Sequence, residues 1–119
     1  MTRAVISLTH AGDDAERTTL ALLVAVGSLD AGNETALWLS AAGIELALKG
    51  TADAIAHEGM PAVASLLAQF QEKGGTVLVC PICFKIRNLD AADLIDGAEL
   101  KGAAALWAFV GDGATTFAY

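Results

Sequence analysis

The chain is expected to fold as an α/β domain, a mainly parallel sheet with helices on both faces. Short runs of apolar, strand-forming residues alternate with segments of helical periodicity, the pattern of successive β–α–β units joined by right-handed crossovers. The composition agrees: 55% of the 119 residues are hydrophobic, which suits a heavily buried sheet and not a disordered chain. That length makes one domain, placed at residues 1–119, and no repeat, low-complexity tract or linker divides it.

Taken in order, Ala4 to Leu8 is a short strand that ends in the polar turn Thr9-His10-Ala11-Gly12-Asp13-Asp14. Asp13 and Glu16 stand three apart, the spacing of a capping box, so a helix is expected to start there and run to about Leu29. After the turn ending at Asn33, Thr35 to Leu39 is a second strand carrying Trp38, and Ala41 to Gly59 is irregular with helical pieces. Pro61 is read as opening the best helix, in which Val63, Leu66, Leu67 and Phe70 repeat at i, i+3, i+4 and i+7; Gly74 and Gly75 stop it. Thr76 to Val79 is the third strand, and a short helix through Phe84 to Arg87 follows it. Gly97 to Leu100 forms a brief strand, Ala103 to Val110 a helix, and Thr115 to Tyr119 a final strand.

Charge and hydropathy narrow the partners. A net charge of −7, with only seven Lys and Arg scattered along the chain, argues against nucleic acid. The longest apolar stretches, Leu20 to Val26 and Ala103 to Val110, fall short of the roughly 20 residues of a membrane span, so no membrane is expected. The N-terminus lacks a signal-peptide pattern, which makes the cytoplasm the expected location. Neither a G-x-G-x-x-G nor a G-x-x-x-x-G-K-[ST] pattern occurs, and no cofactor is expected.

The chemistry concentrates in Cys80-Pro81-Ile82-Cys83, which holds both cysteines of the chain. A strand that passes into a helix through Cys-Pro presents its first thiol at the helix N-cap, with proline where no amide hydrogen is required. Free backbone N–H groups there favour the thiolate, so Cys80 is expected to be the reactive sulfur, assisted by Lys85 and Arg87 further along the helix. In a reducing compartment a close cysteine pair is more often catalytic or metal-binding than a structural disulfide. Ligands in such sheets gather outside the carboxyl ends of the strands. If the first and third strands are neighbours, His10, Asp13 and Asp14 lie near Cys80. His10 then reads as a cation or proton donor beside the sulfur, or as a turn residue bonded to its own loop. Asp13 and Asp14 read as cap residues or as acid/base groups, and Arg17 as the partner of a nearby carboxylate or a subunit contact.

The segments Thr9 to Arg17, Ala42 to Gly50, Val79-Cys80-Pro81-Ile82-Cys83 and Asp93 to Ala98 resemble, in order and over nearly the whole chain, the DsrE family, also called DsrE/DsrF-like. The resemblance implies a three-layer α/β/α sandwich with a five-stranded sheet, and assembly as a homo-oligomer, a trimer or hexamer. It also implies sulfur handling, because DsrE and the related relay subunit TusD carry sulfane sulfur as a cysteine persulfide and exchange it with donor and acceptor proteins. The family's cysteine after the third strand falls on Cys80, and Cys83 is shared with some members. Asn88 stands where relatives usually have glycine, and Ala15 where proline is frequent. The implied mechanism is attack of the Cys80 thiolate on a donor persulfide, followed by transfer of the outer sulfur to an acceptor thiol. Cys83 either resolves that persulfide or packs as a core thiol.

Other readings come from different classes. Cys80 can simply pack at a strand end. The C-x-x-C spacing alone suits a dithiol oxidoreductase. Cys80, Cys83 and His10 would supply three of the four ligands that zinc usually takes, without the second C-x-x-C of a strong zinc pattern. A non-catalytic oligomeric module that binds a small molecule is the remaining alternative. Trp38, Trp107 and the closing Phe117 to Tyr119 are read as core or interface anchors, since the chain carries more apolar surface than one small monomer hides.

Overall fold

The computed structural model describes residues 2–119. Five strands, β1 (Arg3–Leu8), β2 (Glu34–Leu39), β3 (Thr76–Val79), β4 (Ala98–Leu100) and β5 (Thr115–Ala118), form one sheet in the order β4-β3-β2-β1-β5. Every pairing in it is parallel. The α-helices are α1 (Ala15–Asp30), α2 (Val63–Glu72), α3 (Pro81–Ile86) and α4 (Ala103–Val110), and a 3-10 helix, Ala41–Ala47, follows β2.

This order explains how the helices divide. The chain steps from β1 to β4 in one direction, so right-handed crossovers place α1, α2 and α3 on one face. The return from β4 to the far side of β1 reverses the step and puts α4 on the other face. The two faces follow from residue parity along the strands. On the first face Ile6, Leu37 and Val77 lie in one row and Leu8, Leu39 and Val79 in the next. With Leu22, Leu46, Phe70 and Phe84 these make a single sealed core. The ring of Phe70 lies over Gly75, where a Cβ would come within 2.4 Å of it; Gly74, at φ +90°, ends α2, and Gly75 makes room for the ring.

The second face is thinner. Ser7, Trp38, Leu78 and Glu99 form a row across it, and α4 leaves Trp107 71% exposed. Between α4 and the sheet runs a groove of about 480 Å³ lined by Val5, Ser7, Trp38, Leu106, Trp107 and Thr116 among others. Helices do lie on both sides of the sheet, but only the first side is closed within one chain.

The strand and helix positions expected from the sequence agree with the structure within about two residues, except that α3 starts at Pro81, three residues before the expected Phe84, and two further local corrections apply. The N-cap of α1 is Asp14 and not Asp13: its carboxylate accepts from the Arg17 N–H at 3.0 Å, while Asp13 turns back to the N–H of Ala11 at 2.7 Å. Pro61 lies one residue before the Ala62 cap of α2, so it precedes the helix rather than opening it. Among the described residues, no helix is long and apolar enough to cross a membrane.

Candidate functional site

The carboxyl edge of the sheet presents two loops of different character, the turn after β1 and the cysteine loop after β3. β2 lies between β1 and β3, so the neighbourhood assumed for His10, Asp13, Asp14 and Cys80 does not form. Adjacent strands stand about 4.8 Å apart, which separates the β1 and β3 backbones by about 10 Å. The 3-10 helix after β2 fills the interval. Gly43 in that helix sits directly on the end of β1, where an added Cβ would meet the Leu8 carbonyl oxygen at 2.1 Å.

The β1 turn satisfies its own groups. His10 Nδ1 and Asp13 Oδ2 are 2.7 Å apart, and Thr18 Oγ1 donates to the Ala11 carbonyl at 2.8 Å. Arg17 closes on Asp14 with its guanidinium at 2.6 Å. The Ala11 N–H, then His10, hold the Asp13 carboxyl below its ordinary range, and the Arg17 N–H and guanidinium do the same for Asp14. Asp14 in turn raises the pKa of Arg17. None of these contacts reaches either cysteine.

The cysteine loop is built differently. The Cys80 N–H donates to the Leu39 carbonyl at 2.9 Å, extending the β2–β3 ladder by one step, and Pro81 then occupies the first position of α3. α3 ends in a Schellman arrangement, with the Asn88 N–H donating to the Lys85 carbonyl and the Leu89 N–H to the Phe84 carbonyl. Asn88 takes φ +54°, the left-handed position that glycine favours and asparagine tolerates. Asparagine at this position therefore leaves the helix cap intact. Phe84 anchors α3 in the core, while Ile82 and Ile86 project outward at 69% and 70% exposure. Both cysteines are free thiols, half-buried against the core.

The two sulfurs are not equivalent, because their surroundings act on them in opposite directions. Burial pushes the Cys80 thiol up, and the backbone N–H groups of Cys83 and Ile82 do not offset it. Burial acts on Cys83 as well, but there it is outweighed by the hydrogen bond from the Cys80 thiol, by the Ala41 N–H and by the Arg87 charge, so the Cys83 thiol is pulled down. The Ala41 N–H donates to Cys83 Sγ at 3.3 Å, and Ala41 itself stands in the left-handed region at φ +51°. Arg87 also donates to the Cys83 carbonyl at 3.1 Å, which keeps its charge beside the loop. Lys85 is exposed, on the same short helix. Ala41 is the residue that sequence reasoning missed, since a backbone N–H carries no side-chain signature.

The proposed zinc set of Cys80, Cys83 and His10 is not assembled. Among the described residues no group of three or more His, Cys, Asp or Glu side chains is placed to hold a metal ion.

The family model for the DsrE/DsrF-like family matches residues 3–119. The chain belongs to the DsrE/DsrF-like family. It is 28% identical over 99 residues to the uncharacterized protein MJ0760 of Methanocaldococcus jannaschii, a match covering 83% of this chain and 36% of that protein. The chain thus spans about a third of the length of that curated relative. Among solved structures it is similar to the YchN protein of E. coli, with a TM-score of 0.82 at 18% identity and full coverage of both chains. The protein of unknown function MTH1491 from Methanobacterium thermoautotrophicum follows the same fold, at TM-score 0.72 and 15% identity over the whole of both chains. At these identities the structural neighbours establish the architecture of a DsrE-like α/β domain.

Proposed function

We propose that this DsrE/DsrF-like domain is a sulfur-relay protein that holds sulfane sulfur as a persulfide on the Cys80–Cys83 pair and passes it to an acceptor thiol. The observation that carries this reading is the placement of two free thiols, three residues apart, at the carboxyl edge of a parallel sheet, with an N–H from a separate loop on one sulfur. Sulfur exchange needs a thiolate and an approach path. The ion-stabilising contacts answer the first need, and the exposed flank of α3 at Ile82, Lys85 and Ile86 answers the second. Donor and acceptor proteins are the proposed partners, and the cytoplasm the proposed location.

Exposure to a low-molecular-weight persulfide followed by intact-mass spectrometry tests the proposal. One added sulfur atom per chain is expected, absent when both cysteines are replaced by serine. An unmodified wild-type chain overturns the carrier reading.

We also propose that the chain works as a homo-oligomer, a trimer or hexamer. Its support is the incompletely covered second face, where Trp107 is exposed beside the groove, and the edge strand β5, all four residues of which are exposed. Light scattering should report a mass of several chains, with Trp107→Ser reducing it.

A further inference from the structure

The cysteine loop contains a contact that the family resemblance does not explain. Ala41 belongs to the segment after β2, 42 residues before Cys83 in the chain, yet its N–H lies on Cys83 Sγ. A non-glycine residue at φ +51° carries a conformational cost, because the left-handed region brings Cβ close to the carbonyl oxygen. The surrounding structure holds it there from both sides. The Ser40 N–H continues the ladder to the Leu8 carbonyl at 3.2 Å, and the Gly43 N–H closes on the Ser40 carbonyl at 2.9 Å. Gly43 itself is pressed against the end of β1. Strain that persists because its neighbours over-determine it is often found where a group must be aimed, and here the aimed group is the Ala41 N–H.

Cys80 receives no comparable contact from another part of the chain. Its own N–H is used in the β2–β3 ladder and its carbonyl accepts from the Phe84 N–H, so its backbone is committed to the strand-to-helix junction. On the other sulfur, one N–H from the 3-10 helix and the Arg87 guanidinium bonded to the Cys83 carbonyl converge.

We propose that Cys83, and not the family-position Cys80, is the attacking sulfur of the pair, and that Ala41 is the positioning residue that holds it ready. The assignment deepens the sulfur-relay reading and rests on it for the identity of the electrophile. In the transfer, the Cys83 thiolate attacks the outer sulfur of a donor persulfide R–S–SH. A bond forms between Cys83 Sγ and that sulfur, the S–S bond of the donor breaks, and R–S⁻ departs, leaving Cys83–S–SH with no net oxidation. Cys80 keeps its proton in this step, its backbone committed to the strand-to-helix junction.

Single-cysteine proteins separate the two sulfurs. Thiolate absorbance at 240 nm against pH, and the rate of iodoacetamide alkylation at pH 7, are measured for Cys80→Ser, which retains Cys83, and for Cys83→Ser, which retains Cys80. The expected result is a lower titration midpoint and faster alkylation in Cys80→Ser than in Cys83→Ser. Equal or reversed rates overturn the assignment. In the Cys80→Ser background, Ala41→Val, whose branched side chain resists a positive φ, should raise the midpoint, and Ala41→Gly, which keeps both the N–H and the conformation, should leave it in place. A midpoint unmoved by Ala41→Val in a protein with native circular dichroism removes Ala41 from the role. These readouts do not require sulfur transfer. If Cys83 proves the faster nucleophile but neither cysteine accepts sulfur from a persulfide, the carrier reading fails and the order of the two thiols stands.

Discussion

The turn after β1 and the loop after β3 leave the same edge of one sheet and both lead into a helix, yet their polar groups are used in opposite ways. In the first, Asp13, Asp14, His10 and Arg17 bond to one another and to their own backbone, so every charge is answered within eight residues. In the second, the thiol at residue 83 is answered from residue 41, across a strand boundary. A locally satisfied turn is a structural device, whereas a loop completed by a distant segment exists only in the folded chain. The difference explains why the charged turn, rich in apparent catalytic residues, is the less promising of the two. It also makes the 3-10 helix Ala41–Ala47 the element that separates them, since Gly43 touches one loop's strand while Ala41 touches the other loop's sulfur.

Gly43→Ala should break this comparison most severely. A methyl group 2.1 Å from the Leu8 carbonyl oxygen forces the 3-10 helix off the sheet edge, with an expected loss of about 2–3 kcal/mol in urea unfolding. The same displacement should slow alkylation of Cys83. Asp14→Ala acts on the β1 turn alone: loss of the α1 cap should cost about 1 kcal/mol and leave thiol reactivity unchanged. A change in alkylation rate in that variant would mean that the loops are coupled after all.

Ala41→Gly sharpens the contrast from the other side. It removes the left-handed penalty, and after the extra backbone entropy of glycine is subtracted a net gain of about 0.5 kcal/mol remains, measurable as a small rise in the urea midpoint. A loss of stability would show that Ala41 is not strained.

The pH dependence of stability belongs to the β1 turn. The Asp13 and Asp14 carboxyls are held below their unfolded values, so their contribution is complete above the ordinary carboxylate range and is lost as pH falls through the lower folded values. Thermal melting between pH 7 and pH 3 should show stability decreasing below about pH 4, the ordinary carboxylate value. Asp13→Asn together with Asp14→Asn should flatten the decrease. Because Asp13 is exposed and Asp14 only half-buried, added salt should shrink the effect.

Much of the fold was legible because its signals are local. The stripe Val63, Leu66, Leu67, Phe70 marks a helix whichever element it packs against, and all four residues are buried in the structure. Thr76 to Val79 and Ala103 to Val110 were placed to the residue, since Gly74-Gly75 and Cys80-Pro81 bound the first run and Lys101-Gly102 and Gly111-Asp112 the second. The capping residue was misjudged by one position because Asp13 and Asp14 can both cap, and only the bond from Asp13 to the Ala11 N–H decides between them. The site was legible in part. The cysteine pair stood out by its type and spacing, but the Ala41 N–H on Cys83 did not, because it comes from a segment 42 residues away in the chain.

From its residues alone the chain declared a parallel α/β domain, its family and the location of its thiols, since hydrophobic period, turn chemistry and the Cys-Pro junction are properties of short stretches of chain. Which strands became neighbours, which loop faced which, and which sulfur received the Ala41 N–H were decided by the tertiary structure. Those properties depend on strand order and loop placement, and both arise only when segments far apart in sequence are packed side by side.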